Sequence, residues 1–280
     1  MPSSTSPPVI AIAPGSSIAA LLKSTPLNAL ETRILLTHAL QLSRVQLITQ
    51  SERELSAGEA QHLAELYQRR INGEPIAYIV GEREFYGLHF HVTPAVLIPR
   101  PETELLVELA LERLPRNGRM LDMGTGSGAI AVAVAHARPD VSVTALDVSE
   151  AALAIACRNA KAHGVNVNFL LSDWYGALSD QGFDVIAANP PYIVSDDAHL
   201  SEGDLRFEPL DALTDHADGL SALCSIVSGA MPYLTSGGWL LMEHGYHQAA
   251  DVRSLLAAQG FDEVRSWRDL ADIERVSGGR

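Results

Sequence analysis

In "GRMLDMGTGSGAIAVAVAHA", residues 118–137, an apolar run ends in glycines at alternate positions, Gly124, Gly126 and Gly128, and passes directly into an alanine- and valine-rich stretch. Glycine adopts positive φ at little cost, so this loop permits a sharp strand-to-helix reversal. An apolar run without alternation suits a strand buried on both faces, which is the habit of parallel sheets covered by helices.

The remainder of the chain repeats the arrangement. Strands are expected at "VSVTALDV", "VNFLLSD", "FDVIAANP" and "GGWLLMEHG", with a last pair around "DEVRSWRDL" and "RVSGG". Helices are expected at "ETELLVELALERL", "EAALAIACRNAKAHG", "LSALCSIVSGAMPYL" and "HQAADVRSLLAAQG". That alternation predicts an α/β fold with helices on both faces of a mostly parallel sheet.

Before Pro101 the pattern changes. From Ile18 to Ile71 apolar residues such as Leu21, Leu22, Leu30, Ile34, Leu35, Leu63, Leu66 and Tyr67 recur at helical spacing, and Ser56 with Glu59 forms a capping-box signature. The expected organisation is a flexible Ser/Pro-rich tail at 1–17, a helical bundle at 18–73, a linker with a β-hairpin at 74–101, and an α/β domain at 102–280. In the hairpin, His89 and His91 share a face but lack a third ligand, so no metal site is expected.

Composition narrows the functional classes. The net charge of -14 disfavours a protein that binds nucleic acid by neutralising phosphates. No apolar run is long enough to span a bilayer, and the N-terminal stretch lacks the basic and apolar regions of a signal peptide, so a cytoplasmic location with no membrane partner is expected. Cys157 and Cys224 are isolated and read as small core residues.

The glycine loop closes at the C-terminal end of its strand, where open α/β sheets bind ligands. Its residues, Gly124, Thr125, Gly126, Ser127 and Gly128, offer backbone N–H groups and close backbone approach. Asp147 ends the next strand, where a carboxylate can accept both hydroxyls of a ribose. The G-x-G-x-G spacing departs from the dinucleotide fingerprint and favours S-adenosylmethionine over NAD. Asp122 either supports the loop or orients the amino-acid end of that cofactor; Trp174 either lies beside an adenine or packs in the core.

The strand "FDVIAA" ends abruptly in Asn189-Pro190-Pro191-Tyr192. The prolines lack N–H donors and stiffen the loop, which leaves the Asn189 side-chain oxygen and the Pro190 carbonyl as acceptors. Two acceptors match the two hydrogens of a planar NH2 group, and Tyr192 supplies a face for it to stack on. Such an amine is a poor nucleophile until oriented, so the residues point to methyl transfer onto an amide or an aromatic amine.

Together "IPRPETELLVE", "LDMGTGSGAIAVAVA", "SDWYGAL", "NPPYI", "RFEPLDAL" and "LLMEHG" resemble the bacterial release factor glutamine N5-methyltransferases (PrmC/HemK), over roughly Glu31 to Arg280. The resemblance implies a class I methyltransferase domain, Rossmann-like with a seven-stranded sheet, behind a helical domain that helps bind the substrate. It implies methylation of the glutamine in the Gly-Gly-Gln loop of class I peptide chain release factors, with S-adenosylhomocysteine as product and no direct nucleic-acid partner. Gly124 to Gly128, Asp147, Trp174 and Asn189 would hold the cofactor. Asn189, Pro190, Pro191 and Tyr192 would receive the glutamine, with Asn189, Pro190 and Tyr192 as the catalytic set; a monomer is expected. The Asn-Pro-Pro-Tyr motif alone is shared with adenine-methylating enzymes. A ribosomal-protein glutamine and the exocyclic amine of adenine therefore remain as alternatives.

Overall fold

The computed structural model describes residues 9–179 and 182–280, in two compact units that divide after Gly81. Residues 1–8 of the expected tail lie outside the described residues. From Val9 to Ser16 no helix or strand forms.

The first unit holds α1 (Ile18–Lys23), α2 (Ala29–Leu40), α3 (Arg44–Thr49), α4 (Ala57–Ile71) and α5 (Ile76–Val80). Ser17, Asn28, Ser43 and Ser56 each cap a helix start through their side chains, and Ser43–Gln46 and Ser56–Glu59 complete full capping boxes. The periodic residues Leu35, Leu36, Leu63 and Tyr67 form a dry core with Ile18. Arg69 pairs with Glu74 and Arg70 with Glu31, so the mixed-charge stretch at the end of α4 is a set of local ion pairs.

The second unit opens with the antiparallel hairpin β1 (Glu82–Phe85) and β2 (Leu88–His91). Its alternation turns Phe85 and Phe90 into the same core as Leu106 and Val107 of α6 (Glu104–Arg113). The interval 74–101 therefore carries α5 on the first unit and a hairpin packed into the second. His89 is exposed and His91 Nε2 lies 2.8 Å from Arg158 Nη1. No group of three potential ligands occurs among the described residues.

The sheet is built from β3 (Arg119–Met123), β4 (Ser142–Asp147), β5 (Asn168–Leu171), β6 (Phe183–Ala188), β7 (Leu234–Glu243), β8 (Arg265–Arg268) and β9 (Glu274–Gly279). Its order is β5-β4-β3-β6-β7-β9-β8, with only β9 antiparallel to its neighbours. Between strands run α7 (Ala129–Ala137), α8 (Glu150–Ala162), α9 (Leu210–Leu213), α10 (Ser221–Ala230) and α11 (Ala249–Gln259). Strand residues alternate between two cores: Met120, Val185 and Leu241 pack with α6 and α7, and Leu121, Ile186 and Leu240 with α10 and α11. Because β4 leaves β3 on one side and β6 returns on the other, a crevice opens between their C-terminal ends.

The cysteine expectation is corrected. Cys157 is exposed and Cys224 only partly buried. On α8 the inward positions are taken by Ala152, Ala156, Asn159 and Ala160, which leaves Cys157 on the outer face. No helix among the described residues is long and apolar enough to cross a membrane.

Candidate functional site

A cavity of about 500 Å³ lies at this crevice, lined by Gly124, Thr125, Gly126, Ser127, Asp147, Trp174, Asn189 and Pro191 among others. A smaller recess of about 80 Å³ adjoins it, lined by Asn189, Pro190 and Tyr192. Asn189, Leu97 and Arg100 line both, so the two spaces share a wall. Every expected site residue except Gly128 thus faces one space or the other. Gly128 stands behind the loop at the start of α7, with φ +82° and Ala156 close enough to crowd a side chain.

Of the two things expected of the glycine loop, backbone N–H groups and close backbone approach, the first is largely used up within the protein. Gly124 and Thr125 both donate to the Leu146 carbonyl at 2.9 Å, Gly128 donates to Thr125, and Gly126 donates to Asp147 Oδ2 at 2.8 Å. These amides are spent inside the protein, so the loop is no phosphate nest. It offers close approach instead: Gly124 and Gly126 hold φ +71° and +55°, with nothing within 4 Å of where a Cβ would stand. A ligand without a pyrophosphate fits such a cradle better than a dinucleotide does.

Two carboxylates brace the cradle. Asp122 is fully buried; its Oδ2 accepts from Thr125 Oγ1 at 2.6 Å and from the Ala131 amide at 3.2 Å, while Oδ1 has no partner. Burial pushes its carboxyl up to about 7. These contacts make Asp122 a support of the loop, and it does not line the cavity. Asp147 does line it, with Oδ1 accepting from Ser149 and Oδ2 from Gly126. Burial raises its pKa against these backbone donors. Each oxygen retains a lone pair for a further donor, such as a sugar hydroxyl. Trp174 packs against the core cluster that contains Leu146, as one reading expected, and it also lines the cavity.

At the smaller recess, Ala188 pairs with Met242, which places Asn189 and Glu243 at adjoining strand ends and, by alternation, on one face of the sheet. Asn189 Nδ2 donates to Thr103 Oγ1 at 3.2 Å, which turns its amide oxygen away from that bond. Tyr192 donates its phenol to Glu243 Oε1 at 3.2 Å, and burial holds the phenol far above its ordinary pKa. Gln248, itself buried, donates to the carbonyls of Tyr192 and Gly219 and accepts from Gly245. The stiffness expected from two prolines is therefore reinforced by an amide clamp. Beside both recesses, Arg100 is paired with the buried Glu208, whose other oxygen accepts from the Ile98 amide at 3.0 Å.

Thr103, Glu243, Gln248 and Arg100 were not singled out by the sequence reading. Glu243 carried the one local signal, a carboxylate closing the apolar run "WLLME", as Asp147 closes "VTALD".

Residues 101–203 match the family model described as the methyltransferase small domain, and residues 16–81 match the PrmC N-terminal domain. The chain is 54% identical to the release factor glutamine methyltransferase of Burkholderia pseudomallei, over 95% of this chain and 96% of that protein. It is 51% identical to the protein of the same name from Neisseria gonorrhoeae, over 91% and 94% of the respective chains. Among solved structures, a methyltransferase from Pyrococcus furiosus superposes with a TM-score of 0.54 at 19% identity, over 77% of this chain and 96% of that one, and so shares its fold.

Proposed function

The chain belongs to the release factor glutamine methyltransferase family, and from that premise we propose that Asn189, Pro190, Pro191 and Tyr192 receive the glutamine amide while the glycine loop, Asp147 and Trp174 hold the methyl donor. The protein is an S-adenosylmethionine-dependent enzyme that methylates the side-chain amide nitrogen of a release-factor glutamine. The observation that carries the site assignment is the Asn189–Thr103 bond at 3.2 Å, which presents an amide oxygen where the two spaces meet.

When bound, S-adenosylmethionine supplies an electrophilic methyl on a sulfonium. The cavity beside Gly124 and Gly126 has room for it, and Asp147 and Trp174 offer a hydroxyl acceptor and a flat apolar wall. Asn189 Oδ1 and the Pro190 carbonyl accept the two hydrogens of the substrate amide, and Tyr192 lies against its plane. Held this way, the nitrogen lone pair points at the larger cavity and the positive charge it gains meets two acceptors. The surplus nitrogen proton leaves to solvent.

The substrate is the Gly-Gly-Gln loop of class I release factors, whose work on the ribosome places the reaction in the cytoplasm. The net charge of -14 favours a protein partner over nucleic acid. The working unit in this reading is a monomer. The helical first unit takes part in gripping the factor. Incubation of the enzyme with unmodified release factor and S-adenosylmethionine, followed by peptide mass mapping, should show one added methyl on that glutamine. Label found in nucleic acid, or on another protein only, would refute the assignment.

A further inference from the structure

An asparagine amide has two orientations related by a half-turn, and only one turns its oxygen toward an incoming NH2 group. Here Thr103 Oγ1 receives the Asn189 Nδ2 hydrogen. A hydroxyl can donate as readily as accept, so Thr103 alone does not fix that choice. The neighbour that does is Glu243, 2% exposed, at the end of β7 beside Asn189. An ionised carboxylate only accepts. It takes the Tyr192 phenol hydrogen, and the Thr103 hydroxyl lies near enough to favour its charged form. With the Thr103 proton drawn toward Glu243, the lone pair left on Oγ1 suits the Asn189 NH2.

We infer that Thr103 and Glu243 are positioning residues, which fix the Asn189 amide with its oxygen toward the substrate and anchor the Tyr192 ring beside it. This rests on the reading of Asn189 as acceptor of the glutamine amide.

The environment of Glu243 agrees with such a role. Its Oε2 is buried and meets no partner in hydrogen-bond geometry, so the carboxylate is under-satisfied. A buried acid kept only for stability is ordinarily fully bonded or replaced by an apolar residue. Around it stand Glu102 and Thr103 before α6, Tyr192 after β6 and Arg275 on β9, and Arg100 and Arg275 face Tyr192. Burial pushes the carboxyl up to about 7, which places its ionisation within the working range of pH.

The test uses full-length enzyme, unmodified release factor and S-adenosylmethionine, with kcat, KM and calorimetric cofactor affinity measured across pH. Thr103→Val should lower kcat about 10- to 100-fold, as a misplaced acceptor does, and leave cofactor affinity within about twofold. Thr103→Ser should restore most of the loss. Glu243→Gln should lower the kcat plateau and abolish an acid limb present in the parent enzyme. A Thr103→Val enzyme with parental kcat, a serine variant that rescues nothing, or a pH profile unchanged by Glu243→Gln would each overturn the inference. A parent enzyme inert toward the release factor would overturn the substrate reading and this inference with it; an active parent with an unaffected Thr103→Val overturns the inference alone.

Discussion

Asp122, next to the last residue of β3, and Glu243, the last of β7, lie on one face of the sheet, and burial raises both carboxyls to about 7. Their surroundings differ. Asp122 is tied to Thr125 and Ala131, near it in sequence, and both belong to the loop it braces. Glu243 meets Tyr192, 51 residues away, and lies by Thr103, which bonds Asn189 across 86 residues. The larger cavity is thus bordered by a local circuit in which the Gly124, Thr125, Gly126 and Gly128 amides are already bonded, and the smaller recess is an assembly of distant segments. A rigid cradle suits a ligand common to many enzymes; an assembled recess suits a substrate that must be selected.

Asn189→Ala should sharpen that contrast most. Loss of one of two amide acceptors should raise the barrier by about 2 to 3 kcal/mol, on the scale of a removed transition-state hydrogen bond. Cofactor affinity measured by calorimetry should change far less than turnover. Near-normal turnover would mean that Asn189 belongs to the cradle alone.

Asp147→Ala acts on the other side. It removes the acceptors of the Gly126 and Ser149 amides together with the hydroxyl acceptor. The cofactor dissociation constant should rise about 10-fold or more, equivalent to ~1.4 kcal/mol, with kcat at saturating cofactor within a few-fold of the parent. A fall in saturated kcat as large as that of Asn189→Ala would erase the distinction between the two sides.

The same contrast decides what was legible in the sequence. The strand–glycine–helix unit, Asp147 and the Asn189–Tyr192 stretch were readable because each is a local pattern whose chemistry follows from a few adjacent residues. The parallel sheet followed from period and order. Thr103, Gln248 and the Arg100–Glu208 pair were not readable, since their partners arrive through the fold; Arg100 and Glu208 are 108 residues apart. The loop amides were misjudged for a related reason. A glycine-rich turn shows that N–H groups are near a ligand, but only the pairing of β3 with β4 reveals that the Leu146 carbonyl and Asp147 consume them.

Titration provides a finer division. Both carboxyls are raised in the folded protein, from ordinary values of 3.8 for Asp122 and 4.5 for Glu243. A raised folded pKa means that the folded state holds the proton more tightly, so the associated stability is full below the ordinary value and is lost as pH rises toward 7. Asp122→Asn and Glu243→Gln should each gain stability relative to the parent between about pH 5 and 8, by roughly 1 to 3 kcal/mol on the scale of such shifts. Urea midpoints at the two pH values measure this. The accompanying cost should differ, with cofactor affinity affected in the first variant and turnover in the second. A common cost would merge the two supports.

Tyr192→Phe should have the smallest effect, because the ring that lines the recess remains and only the phenol is lost. Glu243 then loses its one geometric donor, at 3.2 Å, so its charged form is less favoured and its pKa moves further up. The acid limb of kcat should shift to higher pH, the plateau should fall about fivefold, and stability should drop by about 1 kcal/mol, the ordinary worth of one hydrogen bond. The direction of the limb separates two roles. If Tyr192 passed the departing proton to Glu243, its removal would cost as much turnover as Asn189→Ala at every pH. If it is held by Glu243 as a wall for the substrate amide, the high-pH plateau falls only by that modest factor and the limb moves to higher pH.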